Sequence, residues 1–335
     1  MQTEREITKH IIHAIQRRKD DPHLPEAYRL FNGFYEGCPG LVMDGYGPTM
    51  AIFEHDEPGS KNEIIEEITR WALKDFEHLE SALLKSRQRP DTRLKNGILV
   101  AGQALPPSVS ENGIRYALDL QMHQDASFYP DTRNLRAWLK REMAEKSVLN
   151  TFAYTGSLGV AAGSGGAREV VQTDLNSKFL NLAQKSWALN SLKAENHQVI
   201  VGDFFRVVGR MRNQNRLFDC VIVDPPFFST TDAGTVDLEN RMTPLLNKVR
   251  PLVAHEGWLV VINNALFLPG EDFMAELMAL CQSAYLSFEA TIPVPDDITG
   301  YPDTIKSAPP VDPAPFNHPT KIAILRVMRK DERKV

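Results

Sequence analysis

Apolar residues near the amino terminus recur at helical spacing. Ile7, Ile11, Ile12 and Ile15 have charged residues between them, which predicts a short amphipathic helix. From Tyr28 to Tyr46 the chain reads YRLFNGFYEGCPGLVMDGY, rich in glycine and aromatics, and predicts short strands and turns. Ser60 and Glu63 stand at capping-box spacing ahead of Ile64, Ile65, Ile68 and Trp71, so a helix is expected to start there. Residues 97–120 predict further strands, with Glu111-Asn112-Gly113 as a hairpin turn. Residues 1–120 therefore read as a small N-terminal α+β domain.

The pattern changes after Asp119. Helical spacing over Arg133–Glu145 leads into the apolar run Val148–Phe152. A helix follows, then the strand candidate Glu169–Asp174, and a second helix marked by Phe179, Leu182, Ala183 and Trp187. Val199–Asp203, Phe218–Asp224 and Gly257–Asn263 are further strand candidates. Five apolar strands with helices between them predict a parallel sheet with right-handed crossovers. Two late candidates, Leu286–Pro293 and Lys321–Met328, flank the proline-rich stretch Pro293–Pro319. Residues 121–335 therefore read as an α/β domain, and long loops such as Pro295–Pro319 are often functional.

Composition narrows the classes. With 335 residues, 42% hydrophobic and 24% charged, the chain is an ordinary globular sequence with room for two domains and no need of disulfides. No apolar run approaches the roughly 20 residues that span a bilayer, and Met1–Asp20 lacks the apolar core of a signal peptide. Cys38, Cys220 and Cys281 are scattered and form no CxxC pair. A cytoplasmic protein with no metal site and no membrane partner is expected. The net charge of −5 argues against nucleic acid coating the whole surface but permits a local basic patch. Two candidates are Arg206, Arg210, Arg212 and Arg216, and Lys85, Arg87, Arg89, Arg93 and Lys95. Each is either a nucleic-acid contact or a solvated face balanced by nearby acids.

Ligands of open α/β sheets sit beyond the carboxyl ends of the strands. The first strand is followed by Tyr154-Thr155-Gly156-Ser157-Leu158-Gly159, whose small residues let a ligand approach the backbone ahead of a helix amino terminus. The second ends at Asp174, a carboxylate suited to ribose hydroxyls or to capping the next helix. The third ends at Gly202-Asp203, where a carboxylate either takes an adenine amino group or caps a helix. The fourth ends at Asp224-Pro225-Pro226-Phe227. Two prolines fix the backbone and remove two donors, leaving carbonyl oxygens and an aromatic face for a flat substrate. A nicotinamide dehydrogenase would want G-x-G-x-x-G after the first strand, and the sequence reads T-G-S-L-G.

At these residues the chain resembles class I S-adenosylmethionine (SAM)-dependent methyltransferases. More narrowly, it resembles the bacterial large-subunit ribosomal RNA methyltransferases that modify cytosine carbon 5 or guanine nitrogen 7. Arg29–Gly33 and Glu36–Leu41 resemble that family's entry segment, Ser127–Arg133 its GFYLDQR-like segment, Asn150–Gly159 its cofactor loop and Asp224–Phe227 its DPP motif. The resemblance implies a Rossmann-like seven-stranded sheet ending in an antiparallel strand. It implies SAM contacts at Arg133, Phe152, Tyr154, Gly156, Asp174 and Asp203, with the neighbouring Phe128, Ser157, Leu175, Phe204 and Asp224 completing the set. Some relatives carry an RNA-binding PUA module before the entry segment. Only about 27 residues precede it here, so that module is expected to be missing.

The cytosine carbon-5 enzymes carry a cysteine nucleophile at the end of the fifth strand, where this chain reads Val261-Ile262-Asn263-Asn264-Ala265. Carbon 5 of cytosine needs a thiolate to add to the ring before it attacks the methyl group. The double asparagine resembles the guanine nitrogen-7 branch instead, in which positioning alone suffices. In that branch Asp224 and the Pro225 carbonyl orient the target, Phe227 or Phe228 stacks on it, and Asn263 bonds an edge. His318-Pro319 is a candidate pocket edge or a turn before the last strand. Three functions are compatible with these residues: a SAM-dependent methyltransferase of a nucleobase nitrogen in ribosomal RNA, a SAM-dependent methyltransferase of a small molecule or protein, and a non-catalytic RNA-binding or assembly factor on the same fold.

Overall fold

The computed structural model describes residues 4–57, 59–88, 92–239 and 242–330. The chain forms two compact units, Met1–Asp131 with Pro295–Pro309, and Thr132–Val294 with Pro310–Val335. The division thus falls after Asp131, where the sequence pattern changes after Asp119, and the first unit takes in a later segment. Among the described residues no helix is long and apolar enough to cross a membrane, and no cluster of His, Cys, Asp or Glu is fit to hold a metal ion.

The first unit opens with the amphipathic helix α1 (Glu4–Gln16), which buries Ile11, Ala14 and Ile15. Next come β1 (Ala27–Asn32), the helical turn α2 (Gly33–Glu36), β2 (Leu41–Tyr46) and β3 (Thr49–Glu54). Helix α3 (Asn62–Asp75) crosses to β4 (Ser81–Ser86), and the short α4 (Thr92–Asn96) leads to β5 (Ile98–Ala101). These five strands form one sheet in sequence order. The α3 crossover makes β3 and β4 parallel, and the other pairs are antiparallel. β6 (Ser108–Glu111) and β7 (Ile114–Ala117) form a separate hairpin. Its turn residues Asn112 (φ 51°) and Gly113 (φ 74°) both take left-handed backbone, as a tight hairpin turn requires.

The expected capping box at Ser60 and Glu63 does not form. Lys61 holds the cap position of α3 without a side-chain bond. A tight turn in which the Asn62 N–H reaches the Gly59 carbonyl uses up Ser60 before the helix begins. The segment Pro295–Pro309 is not a free loop either. Its helical turn Asp296–Thr299 is held inside the first unit by a buried pair, Arg18 and Glu36. Arg18 Nη1 and Nη2 bond the two Glu36 carboxylate oxygens at 2.9 and 3.0 Å, and Nη2 also reaches the Asp297 carbonyl. Asn32 donates to the Ile298 carbonyl.

The second unit begins with α5 (Arg133–Glu142), shorter than the Arg133–Glu145 expected because Glu145 turns to φ 57°. Then come β8 (Ser147–Thr151), α6 (Ser157–Ser164), β9 (Glu169–Asp174), α7 (Ser177–Leu189), β10 (His197–Val201), α8 (Phe204–Asn213) and β11 (Phe218–Val223). A hairpin of β12 (Phe228–Thr231) and β13 (Gly234–Asp237) leads to α9 (Met242–Val249) and the long β14 (Val253–Asn263). α10 (Gly270–Cys281), β15 (Leu286–Thr291) and β16 (Lys321–Val327) close the unit.

Seven strands form one sheet in the order β10-β9-β8-β11-β14-β16-β15. The first five are mutually parallel, and β16 inserts antiparallel between β14 and β15. Helices cover both faces of such a sheet, so its central strands read as continuous apolar runs. β8 is buried along its whole length, and β11 is buried apart from Asp219. The core gathers Leu149, Val171, Val221, Val223, Leu259 and Val261 from four strands against Phe204, Val208 and Leu246 from helices. β10, at the edge, is half-exposed. The Rossmann-like seven-stranded sheet expected from the sequence is the observed one.

Candidate functional site

From β8 the chain winds outward through β9 to β10, then returns to β11 and winds the other way to β14. The direction reverses between β8 and β11, and in an open α/β sheet that crevice is where ligands bind. The carboxyl ends of the five parallel strands line one edge. They bring together Asp203, Asp174, the Phe152–Gly156 loop, Asp224 and Asn263 in that spatial order.

The loop after β8 is strained. Phe152 (φ 54°), Tyr154 (φ 51°) and Gly156 (φ 80°) all adopt left-handed backbone within five residues. Bulky residues rarely sit there, and each such residue costs of order 1–3 kcal/mol. Asp174 holds the loop in place. Its Oδ2 accepts from the Tyr154 N–H and its Oδ1 from the Asn176 N–H, both at 2.9 Å. Burial raises the Asp174 pKa, against the lowering effect of the backbone N–H groups of Asn176, Tyr154 and Leu175. Behind the loop, α6 starts at Ser157 with Gly156 at its cap and no side-chain cap bond, so its first-turn N–H groups face the same edge.

The glycines of this loop have a packing role that their sequence does not show. A Cβ on Gly156 would lie 2.3 Å from the Ala183 Cβ and 2.8 Å from Gln172 Oε1. A Cβ on Gly159 would lie 2.4 Å from the Gln172 side chain. Both glycines let α6 approach the sheet and α7, as helix–strand packing requires. Gln172 is fully buried and sits in a polar chain across three strands. Asn150 Nδ2 donates to its Oε1 at 3.0 Å, and its Nε2 lies 3.0 Å from His197 Nε2. Trp187 stacks on His197 at 4.2 Å.

Asp203 does cap a helix. Its Oδ1 accepts from the Arg206 N–H of α8 at 3.1 Å, and its Oδ2 accepts from the Thr231 hydroxyl at 2.6 Å. Phe204 stacks on Phe152 at 4.4 Å, which joins the end of β10 to the end of β8. Tyr154 packs edge-on against Phe179. Next to Asp174, Leu175 is 63% exposed. Of the other candidates, Arg133 is buried at the start of α5. Phe128 belongs to the first unit, buried against Tyr116, with its carbonyl accepting from the Tyr46 hydroxyl.

On the other side of the crevice, Asp224 is half-exposed, Pro225 buried and Pro226 exposed. Phe227 (49%) and Phe228 (61%) present their rings to solvent, as does Phe267 (64%) after β14, and the Leu266 side chain is exposed beside it. Exposed aromatics this large, after the ends of neighbouring strands, mark a binding surface rather than a core. Asn263 departs from its expected role. It is fully buried, its Nδ2 donates to the Leu238 carbonyl at 3.1 Å and its Oδ1 accepts from the Ala265 N–H at 2.9 Å. Its amide is thus committed to backbone, and Asn264 is the exposed member of the pair. Opposite Asn263, the fully buried Lys321 donates to the carbonyls of Ala265 and Pro319, and burial pushes its pKa down to about 8.

None of the three cysteines lies at a strand end of this edge. Cys220 is internal to β11, Cys38 lies in the first unit and Cys281 ends α10. Burial pushes all three thiols up, away from the reactive thiolate. Of the basic candidates, Arg206, Arg210 and Arg212 are exposed along α8 and make no ion pair among the described residues. Arg216 is held by Glu169 at 2.6 Å and lies over Phe218. The second cluster is divided: Arg93 is exposed and Lys95 half-exposed on α4, but two other members are engaged within the unit. Lys85 is buried on the carbonyls of Leu120 and Asp125, burial pushes its pKa down to about 8, and Arg87 pairs with Asp125. Arg89 lies outside the described residues. The hairpin β12–β13, with Thr231 and the Asp232–Gly234 turn, was not read from the sequence. Phe228–Asp237 does carry the signal, a glycine-containing turn between β-branched residues.

Comparison with known proteins agrees with this fold. A family model described as S-adenosylmethionine-dependent methyltransferase matches residues 60–306. Ribosomal RNA large subunit methyltransferase I of Aeromonas salmonicida is 30% identical over 209 residues, 62% of this chain and 52% of that protein. The protein of the same name from Alteromonas mediterranea is 30% identical over 223 residues, 66% of this chain and 56% of that protein. The chain therefore spans little more than half the length of these curated relatives. Among solved structures, SMU.776 complexed with SAH superposes with a TM-score of 0.83 at 23% identity, covering 98% of this chain and 82% of that one. At that identity the likeness is one of fold.

Proposed function

The chain belongs to the S-adenosylmethionine-dependent methyltransferases, and from that premise we propose that it methylates a nucleobase nitrogen of ribosomal RNA by direct in-line transfer, without a covalent cysteine intermediate. The observation that carries the substrate half is the exposure of large aromatics after the ends of two neighbouring strands, Phe227 and Phe228 beyond Asp224 and Phe267 beyond β14. Flat bases extruded from a strand or duplex are read by stacking between such side chains. The ribosomal RNA named for its relatives points the same way.

The donor set on the β8–β10 side fits the cofactor. Asp174 offers a carboxylate to a ribose diol, Asp203 offers one near the adenine amino group, and Leu175 gives the base an apolar neighbour. Phe152, Tyr154, Gly156 and Ser157 form the strained loop beside it, and Arg133 and Phe204 of the same unit complete the proposed contacts. Bound there, SAM supplies a methyl group made electrophilic by its sulfonium.

The protein's work on the target is positioning. Asp224 and the Pro225 carbonyl accept hydrogen bonds from a base edge, and neither proline competes with a donor of its own. Phe227 holds the ring plane. A ring nitrogen already carries a lone pair, so alignment with the methyl group is the whole requirement. Asn263 acts from behind by fixing Leu238, and no described cysteine stands where an attacking thiolate is needed.

The test is turnover of labelled SAM on ribosomal RNA from cells lacking the gene, read as nucleosides by mass spectrometry. A new methyl on a ring nitrogen is expected, with Cys220→Ala and Cys281→Ala retaining turnover. A carbon-5 methylcytosine product, or a covalent complex trapped on 5-fluorocytosine RNA, overturns the direct route. Binding of SAM without turnover on any RNA favours a small-molecule or protein substrate.

A further inference from the structure

The hairpin β12–β13 comes immediately after Asp224–Phe227, and it is fastened at both ends by residues from other strand ends. At its tip, the Thr231 hydroxyl donates to Asp203 Oδ2 at 2.6 Å. The Gly234 carbonyl lies farther off at 3.3 Å, so the single hydroxyl proton goes to the carboxylate. The Ala233 N–H in turn donates to the Thr231 oxygen. The turn also sits on an aromatic base. A Cβ on Gly234 would lie 2.6 Å from the Phe205 ring, and Phe205 packs edge-on against Phe204, which stacks on Phe152. At the other end, the Leu238 N–H donates to the Phe227 carbonyl, and the Leu238 carbonyl accepts from Asn263.

We propose that Thr231 is a positioning residue that couples the cofactor side of the site to the target side through Asp203. The carboxylate of Asp203 uses one oxygen on the α8 cap and the other on Thr231. A carboxylate accepts about four hydrogen bonds, so a cofactor amino group can join the two already made. It then shares an oxygen with the hairpin latch, and the hairpin that presents Phe227 and Phe228 is ordered with it. The inference rests on the proposed SAM site, and it assigns Thr231 and Asn263 a shared task, holding the stacking aromatics against the crevice.

The test is hydrogen exchange of the full chain with S-adenosylhomocysteine (SAH) as probe. In Thr231→Val, amides of Phe228–Asp237 are expected to exchange about tenfold faster, the loss of one hydrogen bond to a charged group. Thr231→Ser, which keeps the hydroxyl, restores the wild-type rate. SAH is expected to slow hairpin exchange in the wild type and in Thr231→Ser, but not in Thr231→Val, while its affinity changes by less than about threefold in either variant. With RNA substrate, Thr231→Val raises KM more than it lowers kcat. If SAH binds but leaves hairpin exchange unchanged in the wild type, the coupling is refuted while the cofactor site stands. If SAH does not bind the folded chain, the cofactor reading itself falls. Equal exchange rates in Thr231→Val and wild type refute the latch.

Discussion

Gly159→Ala should reverse its effect on stability when Gln172 is removed. In the wild type an alanine Cβ at 159 meets Gln172 at 2.4 Å, and Gln172 is fully buried between Asn150 and His197. Overpacking a close-fitted site costs about 1–3 kcal/mol. Displacing Gln172 leaves buried polar groups unmatched, at about 1–3 kcal/mol more. Against this, Ala is better than Gly in a helix by about 1 kcal/mol. The net loss is about 3 kcal/mol, or roughly 6–12 °C in Tm for a unit of this size. In a Gln172→Ala background the obstacle is gone and only the helix preference remains, so the same substitution stabilises by up to about 1 kcal/mol. The coupling is then about 3–4 kcal/mol, far outside additivity. Gly156→Ala is the control. Its φ of 80° penalises any side chain, so it stays destabilising in both backgrounds. Urea unfolding of the four variants, followed by circular dichroism, supplies the cycle, and SAH calorimetry on the double variant shows whether the site survives. Equal costs for Gly159→Ala in both backgrounds would mean that the glycine serves a ligand and that the packing argument is wrong.

Asp174→Asn should separate binding from folding. An amide has one acceptor oxygen where the carboxylate serves Tyr154 and Asn176 with two, so one N–H loses its partner, at about 1–3 kcal/mol. SAH affinity is expected to fall at least about tenfold with the melting transition still cooperative, and unchanged affinity in calorimetry counts against the ribose assignment. Replacing Arg206, Arg210 and Arg212 together by alanine should lower the slope of log affinity against log salt for single-stranded RNA by about 2, at about 0.7 per phosphate contact. An unaltered slope in filter binding makes α8 a solvated face. His197 is pushed down by burial to about 4 from an ordinary 6.5. Its folded-state pKa is the lower one, so its contribution is fully present above pH 6.5 and is lost as the pH falls towards 4. The melting temperature should drop over that window, and His197→Gln should flatten that part of the profile.

The sheet was legible because its central strands are buried on both faces and announce themselves as apolar runs, so β8, β9, β11 and β14 stand within a few residues of where the sequence puts them, and the half-exposed edge strand β10 still shows its β-branched residues. The strand-end residues were legible for the same reason, since the last apolar residue of a run marks the polar residue beyond it as lying at the sheet's edge. What escaped was the direction in which side chains face. Gly156 and Gly159 are small because of Gln172, a residue twelve or more positions away that only the β8–β9 register brings beneath them. Asn263 reads as a polar strand end, but the hairpin after β11 folds back and takes its amide. Lys85 reads as part of a basic run, yet the pleat of β4 turns it inward onto two carbonyls while Arg87 meets Asp125. Pro295–Pro309 reads as a loop of the second unit because the Arg18–Glu36 pair that holds its helical turn lies almost three hundred residues earlier in sequence.

Capping and ligand binding, set as alternatives for the strand-end aspartates, exclude each other only where a carboxylate is saturated. Asp174 accepts from the N–H groups of Tyr154 and Asn176 through different oxygens, and about four acceptor positions exist on the group. The backbone bonds therefore orient the remaining lone pairs instead of consuming them. They also hold Tyr154 in left-handed backbone, a conformation that persists only where its surroundings fix it. The cap of α7 is Asn176, so Asp174 is left to the strained loop, in a burial that raises its pKa. Diol donors arriving at the free lone pairs would favour the ionised form and draw that pKa back down. Cofactor binding is thus expected to release protons as the pH approaches the raised pKa from above, in an amount set by Asp174, and the release should vanish in Asp174→Asn. Calorimetry in two buffers of different ionisation enthalpy measures it. Proton release that persists in Asp174→Asn would place the titrating group elsewhere and leave Asp174 the role of bracing the loop, Asn176 being the cap of α7.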